Sequence, residues 1–422
     1  MNRQRLGLRT LTMLAWRNLW RHRRRTIITL TSISLGFGLS VFSISLGDGG
    51  HNNMIKNAID FGEGHIAIQT TDYLQAPANY KFIADQNPII ERLQQLNLQG
   101  KIAPRIALQV LVSSANNSIG AALQSIDMEK DPRVEKLKTQ LVDGRWLTNN
   151  EQRGVLIGEG MARKLKVKLG SKIVLLVGKK GGDSEAQLAR VRGIFKTAMV
   201  ELDSFLILSN LQFGQRYLSS EDQANPNAVT RLAIFLDEHD SLPYWHQEIK
   251  TALKNFNVAV LSWEEMMPEL VQYILVDDIG NYIMLILILA VIVFGIINTV
   301  LMSVLERTRE FGLLRAIGIN RGHLLLLVFF ESIWLSLFSV AGGWIIGGGI
   351  YWYFSTVGLD ITGMIPEGTS FGGTFMDPIM YAELSMQRVT QITVIVFFTT
   401  LASGIYPAIK AARITPVQAL RT

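Results

Sequence analysis

The 422-residue chain contains no cysteine, which excludes a disulfide framework and any thiolate metal site. Charge is scarce as well: Asp, Glu, Lys and Arg make up 18% of residues, against about 25% in ordinary soluble domains. The six histidines, His22, His51, His65, His239, His246 and His323, are scattered. Only His239 and His246 come near ligand spacing, so no metal site is expected. The chain has no G-x-x-x-x-G-K-[ST] phosphate loop, no H-E-x-x-H helix and no G-x-S-x-G elbow. No catalytic residue and no cofactor is therefore assigned to it, and a non-enzymatic role follows.

What is present is apolar residue in long runs. Hydrophobic residues reach 48%, and the mean hydropathy is +0.23. Four windows, Thr26 to Gly47, Ile279 to Leu305, Ser332 to Leu359, and Ile392 to Ile409, hold no Asp, Glu, Lys or Arg. Each is long enough for a hydrocarbon core of about 30 Å at 1.5 Å per residue. The first exceeds a signal-peptide apolar region and no A-x-A site follows it, so it reads as an uncleaved anchor. Transmembrane helices are expected over 26–47, 279–305, 323–356 and 391–409.

Basic residues orient the chain. The leader 1–25 carries Arg3, Arg5, Arg9, Arg17, Arg21, Arg23, Arg24 and Arg25 and no acid. Residues 306–322 carry Arg307, Arg309, Arg315 and Arg321, and the tail 410–422 carries Lys410, Arg413 and Arg421. These three segments are expected in the cytoplasm. The loop 357–390 holds Asp360, Glu367, Asp377 and Glu383 against one cation, Arg388, and is expected outside together with residues 48–278. The formal net charge of +6 sits largely beside the spans, which favours anionic membrane lipid over nucleic acid as its partner. Met13, Trp16, Leu19 and Trp20 recur at helical spacing in the leader and predict an interfacial helix.

The exported segment 48–278 reads as mixed α+β. GHIAIQ (64–69), VLIG (155–158), KIVLLV (172–177), VRGIF (191–195) and RLAIFL (231–236) are strand candidates. Pro88–Leu98, Glu159–Lys166 and Leu242–Phe256 are helix candidates. Their order predicts two subdomains, the inserted one over roughly residues 100–230. Ser262 with Glu265 forms a capping-box start for a helix that runs through Asp277 and Asp278 into the second span, with a kink at Pro268.

Within the spans, Ser32, Gly36 and Ser40 form a small-residue ladder, and Gly343 and Gly347 belong to a second close-packing surface in a glycine-rich stretch suited to bending. Glu331 is the single acid inside a span and needs a protein donor, as a structural anchor or in substrate passage. The loop ERTREFGLLRAIGINRGHLLLLVFFES (306–332) predicts a short amphipathic helix from Glu306 to about Ile317, ended by Gly318. Phe311, Leu314 and Arg315 are placed on one face, with Arg307 and Glu310 beside them. Such a helix suits a groove on a soluble partner, and the alternative is a passive loop on the headgroups.

The segment RTREFGLLRAIG (307–318) resembles the cytoplasmic loop of MacB/FtsX-type ABC permeases, with the pattern R-x-x-E-x-G-x-L-R-A-x-G. The tail YPAIKAARITPVQALR (406–421) and the leader LAWRNLWRHRRRTIITLTSISLGFG (14–38) are similar in kind. The exported phrases GHIAIQ, APRI, VLIGEGMARKLKVKLGSKI and RVRGIF look most like the lipoprotein-releasing LolC/LolE branch. The resemblance implies a membrane fold of four transmembrane α-helices with a large mixed α+β extracytoplasmic domain between spans one and two, in the bacterial inner membrane with both termini cytoplasmic. It implies that Glu306, Arg307, Arg309, Glu310, Phe311, Leu314, Arg315, Ala316 and Gly318 form an ATPase-coupling segment. It also implies a separate cytoplasmic ABC ATPase that carries ATP and Mg2+, a second permease copy or paralogue, and a periplasmic acceptor or adaptor. Three activities stay open: extraction of lipoprotein or lipid, efflux of peptides or amphiphiles, and signalling to a cell-wall hydrolase.

Overall fold

In the computed structural model the described residues are 7–21, 23–197, 200–218, 225–317, 319–361, 370–371, 374–375, 377 and 379–413. The chain divides into two compact units. One comprises residues 1–51, 275–360 and 379–422, and the other residues 52–274 and 361–378.

The first unit is helical. A leader helix, Leu8–Leu19, is followed by the long helices Arg23–Phe61, Pro268–Glu306 and Arg321–Thr356 and by the fourth span, Met386–Ser403 continued as Ile405–Ala412. These four long helical segments are apolar and long enough to cross a membrane. The first runs on to Phe61, well beyond the expected 26–47, and the second enters its span as the continuous helix through Asp277 and Asp278 that the sequence predicts. The fourth starts at Met386, where the Ser385 side chain accepts a hydrogen bond from the Arg388 amide at 3.2 Å. It is interrupted at Gly404, where a Cβ would lie 2.0 Å from Ser332 Oγ. The glycine-rich third span, by contrast, runs unbroken from Arg321 to Thr356.

The expected leader helix is present, and one of its faces packs on the bundle. Leu11 and Ala15 are buried among Val304, Phe311, Leu324, Leu327, Val328, Ala408 and Ala411. Trp16 packs on Trp334 with ring centroids 5.1 Å apart, while Met13 stays exposed. A helix with apolar residues on two faces buries the one that meets other helices.

The small-residue contacts also shift. Gly36 packs against Ile288 and Ile292 of the second span, Ser40 hydrogen-bonds the Gly36 carbonyl, and Ser32 is exposed. The close approach to the third span is made instead by Ser34, Phe37 and Gly38. Ser34 Oγ donates to the Ser339 carbonyl at 3.1 Å. A Cβ on Gly343 would lie 2.3 Å from Phe37 Cδ1, and one on Gly347 would lie 2.9 Å from Gly38 Cα. Positions 343 and 347 thus admit nothing larger than glycine without moving the first helix.

The second unit is built on ten strands: β1 Ile66–Thr70, β2 Gly100–Ser113, β3 Ser118–Ile126, β4 Leu141–Gly144, β5 Gly154–Gly158, β6 Lys172–Gly178, β7 Ser184–Phe195, β8 Leu206–Asn210, β9 Arg231–Leu236 and β10 Val258–Ser262. The pairing β2–β3–β8–β5–β7–β6 returns to β2 and closes a six-strand circuit. Alternate residues Ile106, Leu108, Val110 and Val112 of β2 are buried in its core. The other half of β2 continues into β9, β1 and β10, against which the helices Asn87–Gln95 and Leu242–Ala252 bury Ile89, Leu93, Leu242 and Ile249. One 14-residue strand therefore serves two cores.

The end of the first long helix is gripped by basic side chains of this unit. Arg105 donates to the Gly62 carbonyl and Arg133 to the Phe61 carbonyl, and Lys136 pairs with Asp60. Arg105 also pairs with buried Asp131 at 2.9 Å, and Arg231 pairs with Glu63 at 2.7 Å. Cations at a helix C-terminus satisfy its free carbonyls and oppose its dipole. Burial raises the Asp131 carboxyl, but Arg133 and Arg105 outweigh it and hold the pKa at about 2. His65 is pushed down to about 4 by burial and by the neighbouring His239.

The capping box at Ser262 and Glu265 is present. It starts only a single turn, Trp263–Met266, and Pro268 opens a new helix instead of kinking an existing one. The proline lacks the amide hydrogen that a continuing helix would use.

Candidate functional site

The segment 306–317 meets the bundle through one buried arginine. The second long helix ends at Glu306, and a separate helix runs Thr308–Ala316. Between them Arg307 is 7% exposed. Its Nη1 donates to Glu331 Oε1 at 3.0 Å, and its Nε donates to Glu310 Oε2 at 3.1 Å. The guanidinium also lies 5.0 Å from the Phe311 ring centroid, a favourable cation–π placement.

The leader supplies the remaining partners. Asn18 Nδ2 donates to the same Glu331 oxygen at 2.8 Å, Arg21 pairs with Glu310 at 2.6 Å, and Arg25 pairs with Glu306 at 3.1 Å. Burial works against ionisation of Glu310, but hydrogen bonds from Arg307 and Arg21 hold its carboxyl below the usual range. Behind this network a cavity of about 50 Å3 is lined by Asn18, Arg25, Thr26, Thr299, Ser303 and Glu331 among others. Its lining mixes these polar groups with Leu19, Val300 and Leu335, and it has room for a small number of waters. Glu331 thus accepts hydrogen bonds from two side-chain donors, one of them a guanidinium.

The expected apolar pair does not lie on the exposed side of this helix. Phe311 is 1% exposed and belongs to the bundle core, and Leu314 is half-buried against it. Arg307 and Glu310 point into the network. The open face carries Glu306, Arg309, Leu313, Ala316 and Ile317, with Leu313 at 55% and Ile317 at 73% exposure. Arg315 lies in the last turn, half-buried, and Gly318 falls outside the described residues. Both edges of the segment, 311/314 and 313/317, carry apolar residues at helical spacing, so the sequence alone does not say which one the bundle covers. Asn18 was missed altogether, and its one signal is a neutral amide placed between the aromatic and basic residues of WRNLWR.

His246 Nε2 contacts the Val260 carbonyl at 3.2 Å, and His239 lies 5.4 Å from the His65 ring.

A family model described as MacB-like periplasmic core domain matches residues 26–252, more than half of the chain, and one described as FtsX-like permease C-terminal matches residues 282–416. The chain belongs to the MacB/FtsX-type ABC transporter permeases. The permease is 26% identical to the lipoprotein-releasing system transmembrane protein LolC of Buchnera aphidicola, over 98% of this chain and 97% of that one. It is 25% identical to an uncharacterized ABC transporter permease, MJ1507, of Methanocaldococcus jannaschii, over 96% of each. Among solved structures, the extracellular domain of the noncanonic ABC-type transporter YknZ from Gram-positive bacteria covers 47% of the permease and 99% of that domain, with 15% identity and a TM-score of 0.33.

Proposed function

We propose that this permease sits in an inner membrane with both termini cytoplasmic and couples ATP hydrolysis by a separate ABC ATPase to movement of its exported domain. The observation that carries the reading is the helix Thr308–Ala316. It presents Leu313 and Ile317 outward while Phe311 and Arg307 root it in the bundle. An exposed apolar pair on a helix fixed from behind is suited to a partner's groove, and force on it is delivered to the third span through Glu331. The ATPase binds ATP and Mg2+, and the permease supplies no nucleotide chemistry. A second permease copy or paralogue completes a symmetric assembly.

The substrate is a lipid-anchored protein or lipid drawn from the outer leaflet and passed to a periplasmic acceptor. Full-length similarity to a lipoprotein-releasing protein supports this. Four spans per chain also leave little room for an aqueous channel, whereas lateral entry suits a lipid anchor. The test is mass spectrometry of what copurifies with the permease–ATPase complex in mild detergent. Acylated proteins are expected. Enrichment of soluble peptides or amphiphiles together with an adaptor protein would replace this substrate by the efflux reading, and a cell-wall hydrolase would replace it by signalling.

A further inference from the structure

A second charged cluster lies in the helical unit, at the ends of the spans from which the chain leaves for the inserted domain. Arg388 opens the fourth span. Its Nη2 meets both carboxylate oxygens of Asp278 on the second span at 3.0 Å, and its Nε lies 3.3 Å from Asp48 on the first. Nη1 donates to Tyr282 Oη at 2.5 Å. Buried His51, one turn beyond Asp48, contacts Asp277 at 2.9 Å and stands 4.0 Å from Asp278. The backbone closes the same joint: the Glu383 amide donates to the Ser45 carbonyl at 2.9 Å, and a Cβ on Gly49 would lie 1.8 Å from the Tyr381 carbonyl oxygen.

Asp48, His51 and Asp278 carry ligand atoms within 4.8 Å of one another. Arg388 already contacts both carboxylates, so a cation there would have to displace it. A mechanical role fits better. One guanidinium bridges carboxylates on two different helices, so drawing the fourth span away from the first and second breaks both of its ion pairs and leaves partly desolvated charge behind.

We propose that Asp48, His51, Asp278 and Arg388 form an ionic lock that keeps the first, second and fourth spans of one chain together throughout the ATP cycle. The working rearrangement then falls outside this trio, and a lipid entering sideways does so between chains, not between the first and second spans of one chain. The inference rests on the proposed ATP-driven cycle, and the two fail separately.

The chain lacks cysteine, so a reporter pair is clean. A Cβ on Gly47 would lie 2.9 Å from Asn281 Nδ2 and 3.8 Å from its Cγ, close enough for Gly47→Cys with Asn281→Cys to form a disulfide. In membranes holding the full chain without its ATPase, copper phenanthroline should give an intrachain cross-link. Arg388→Leu should slow its formation at least tenfold, and Arg388→Lys should restore part of the rate. Equal rates in all three, or no cross-link at all, would overturn the lock. In the complex with the ATPase, hydrolysis by the oxidised pair should stay within twofold of the reduced pair. A tenfold loss reversed by dithiothreitol would show that the first two spans must part, and would also overturn it. Absence of hydrolysis in the reduced complex would count against the proposed function instead, with the Arg388 arm still deciding the lock.

Discussion

Arg307 joins three helices through a single guanidinium, and its removal leaves Glu331 buried with only Asn18 as donor. Breaking one side of a buried pair costs about 3–5 kcal/mol. Arg307→Met should therefore lower the melting temperature of the detergent-solubilised chain, and adding Glu331→Leu should recover part of the loss. Purely additive losses in that double-mutant cycle would mean that the pair does not act as a unit. In the inserted domain, pH reports on His65 and Asp131. His65 has a folded pKa near 4 against 6.5 unfolded, so the unfolded chain takes up the proton first and stability falls as pH drops from about 6.5 to 4. Asp131, with a folded pKa near 2 against 3.8, contributes stability above its unfolded value that is lost as pH falls from 3.8 through 2. Thermal melts of the chain should decline in those two windows, and His65→Gln should flatten the upper one. An unchanged upper slope in that variant would exclude His65 as its source.

Among the elements, the spans were legible because four uncharged windows of membrane length leave no other solution. Five strand candidates were found because β-branched runs stand beside turns. The long β2 and β3 were not, since Gly100–Ser113 contains Pro104, Arg105 and Gln109 and alternates buried with exposed positions under two different cores. Helix ends were misplaced where capping or a glycine contact outlasts the apolar pattern, as at Met386 and Gly404. The glycines of the third span separate packing from propensity. Gly343→Leu should destabilise the bundle by several kcal/mol as an overpacked contact with Phe37, measurable by thermal aggregation in detergent. Gly349 has no neighbour within 4 Å, so Gly349→Ala should be neutral or stabilising by up to about 1 kcal/mol. Similar losses at both positions would contradict the assigned packing. The loop helix divides in the same way. Phe311→Ala should unfold the joint at about 3–5 kcal/mol, whereas Leu313→Asp and Ile317→Asp should leave the bundle intact.

For the whole molecule, the proposed orientation rests on the distribution of basic and acidic residues among the loops, and cysteine labelling tests it because the chain has no cysteine of its own. Single cysteines at Ser114 and Ser219 should react with an impermeant maleimide in intact spheroplasts, and one at Asn320 should react only after lysis. Reaction at Asn320 before lysis would invert the topology and move the docking face away from ATP. In the proposed mechanism ATP-driven force enters at the exposed face of the helix Thr308–Ala316. Its most direct test is copurification of the coexpressed ATPase with a tagged permease, wild type against Leu313→Asp/Ile317→Asp, with membrane insertion and thermal stability measured in parallel. The account predicts a folded, inserted double variant that loses at least nine-tenths of the bound ATPase, an effect of the size expected when apolar hot spots worth about 2 kcal/mol are removed. A double variant that retains the full complement of ATPase and hydrolyses ATP at the wild-type rate would contradict it.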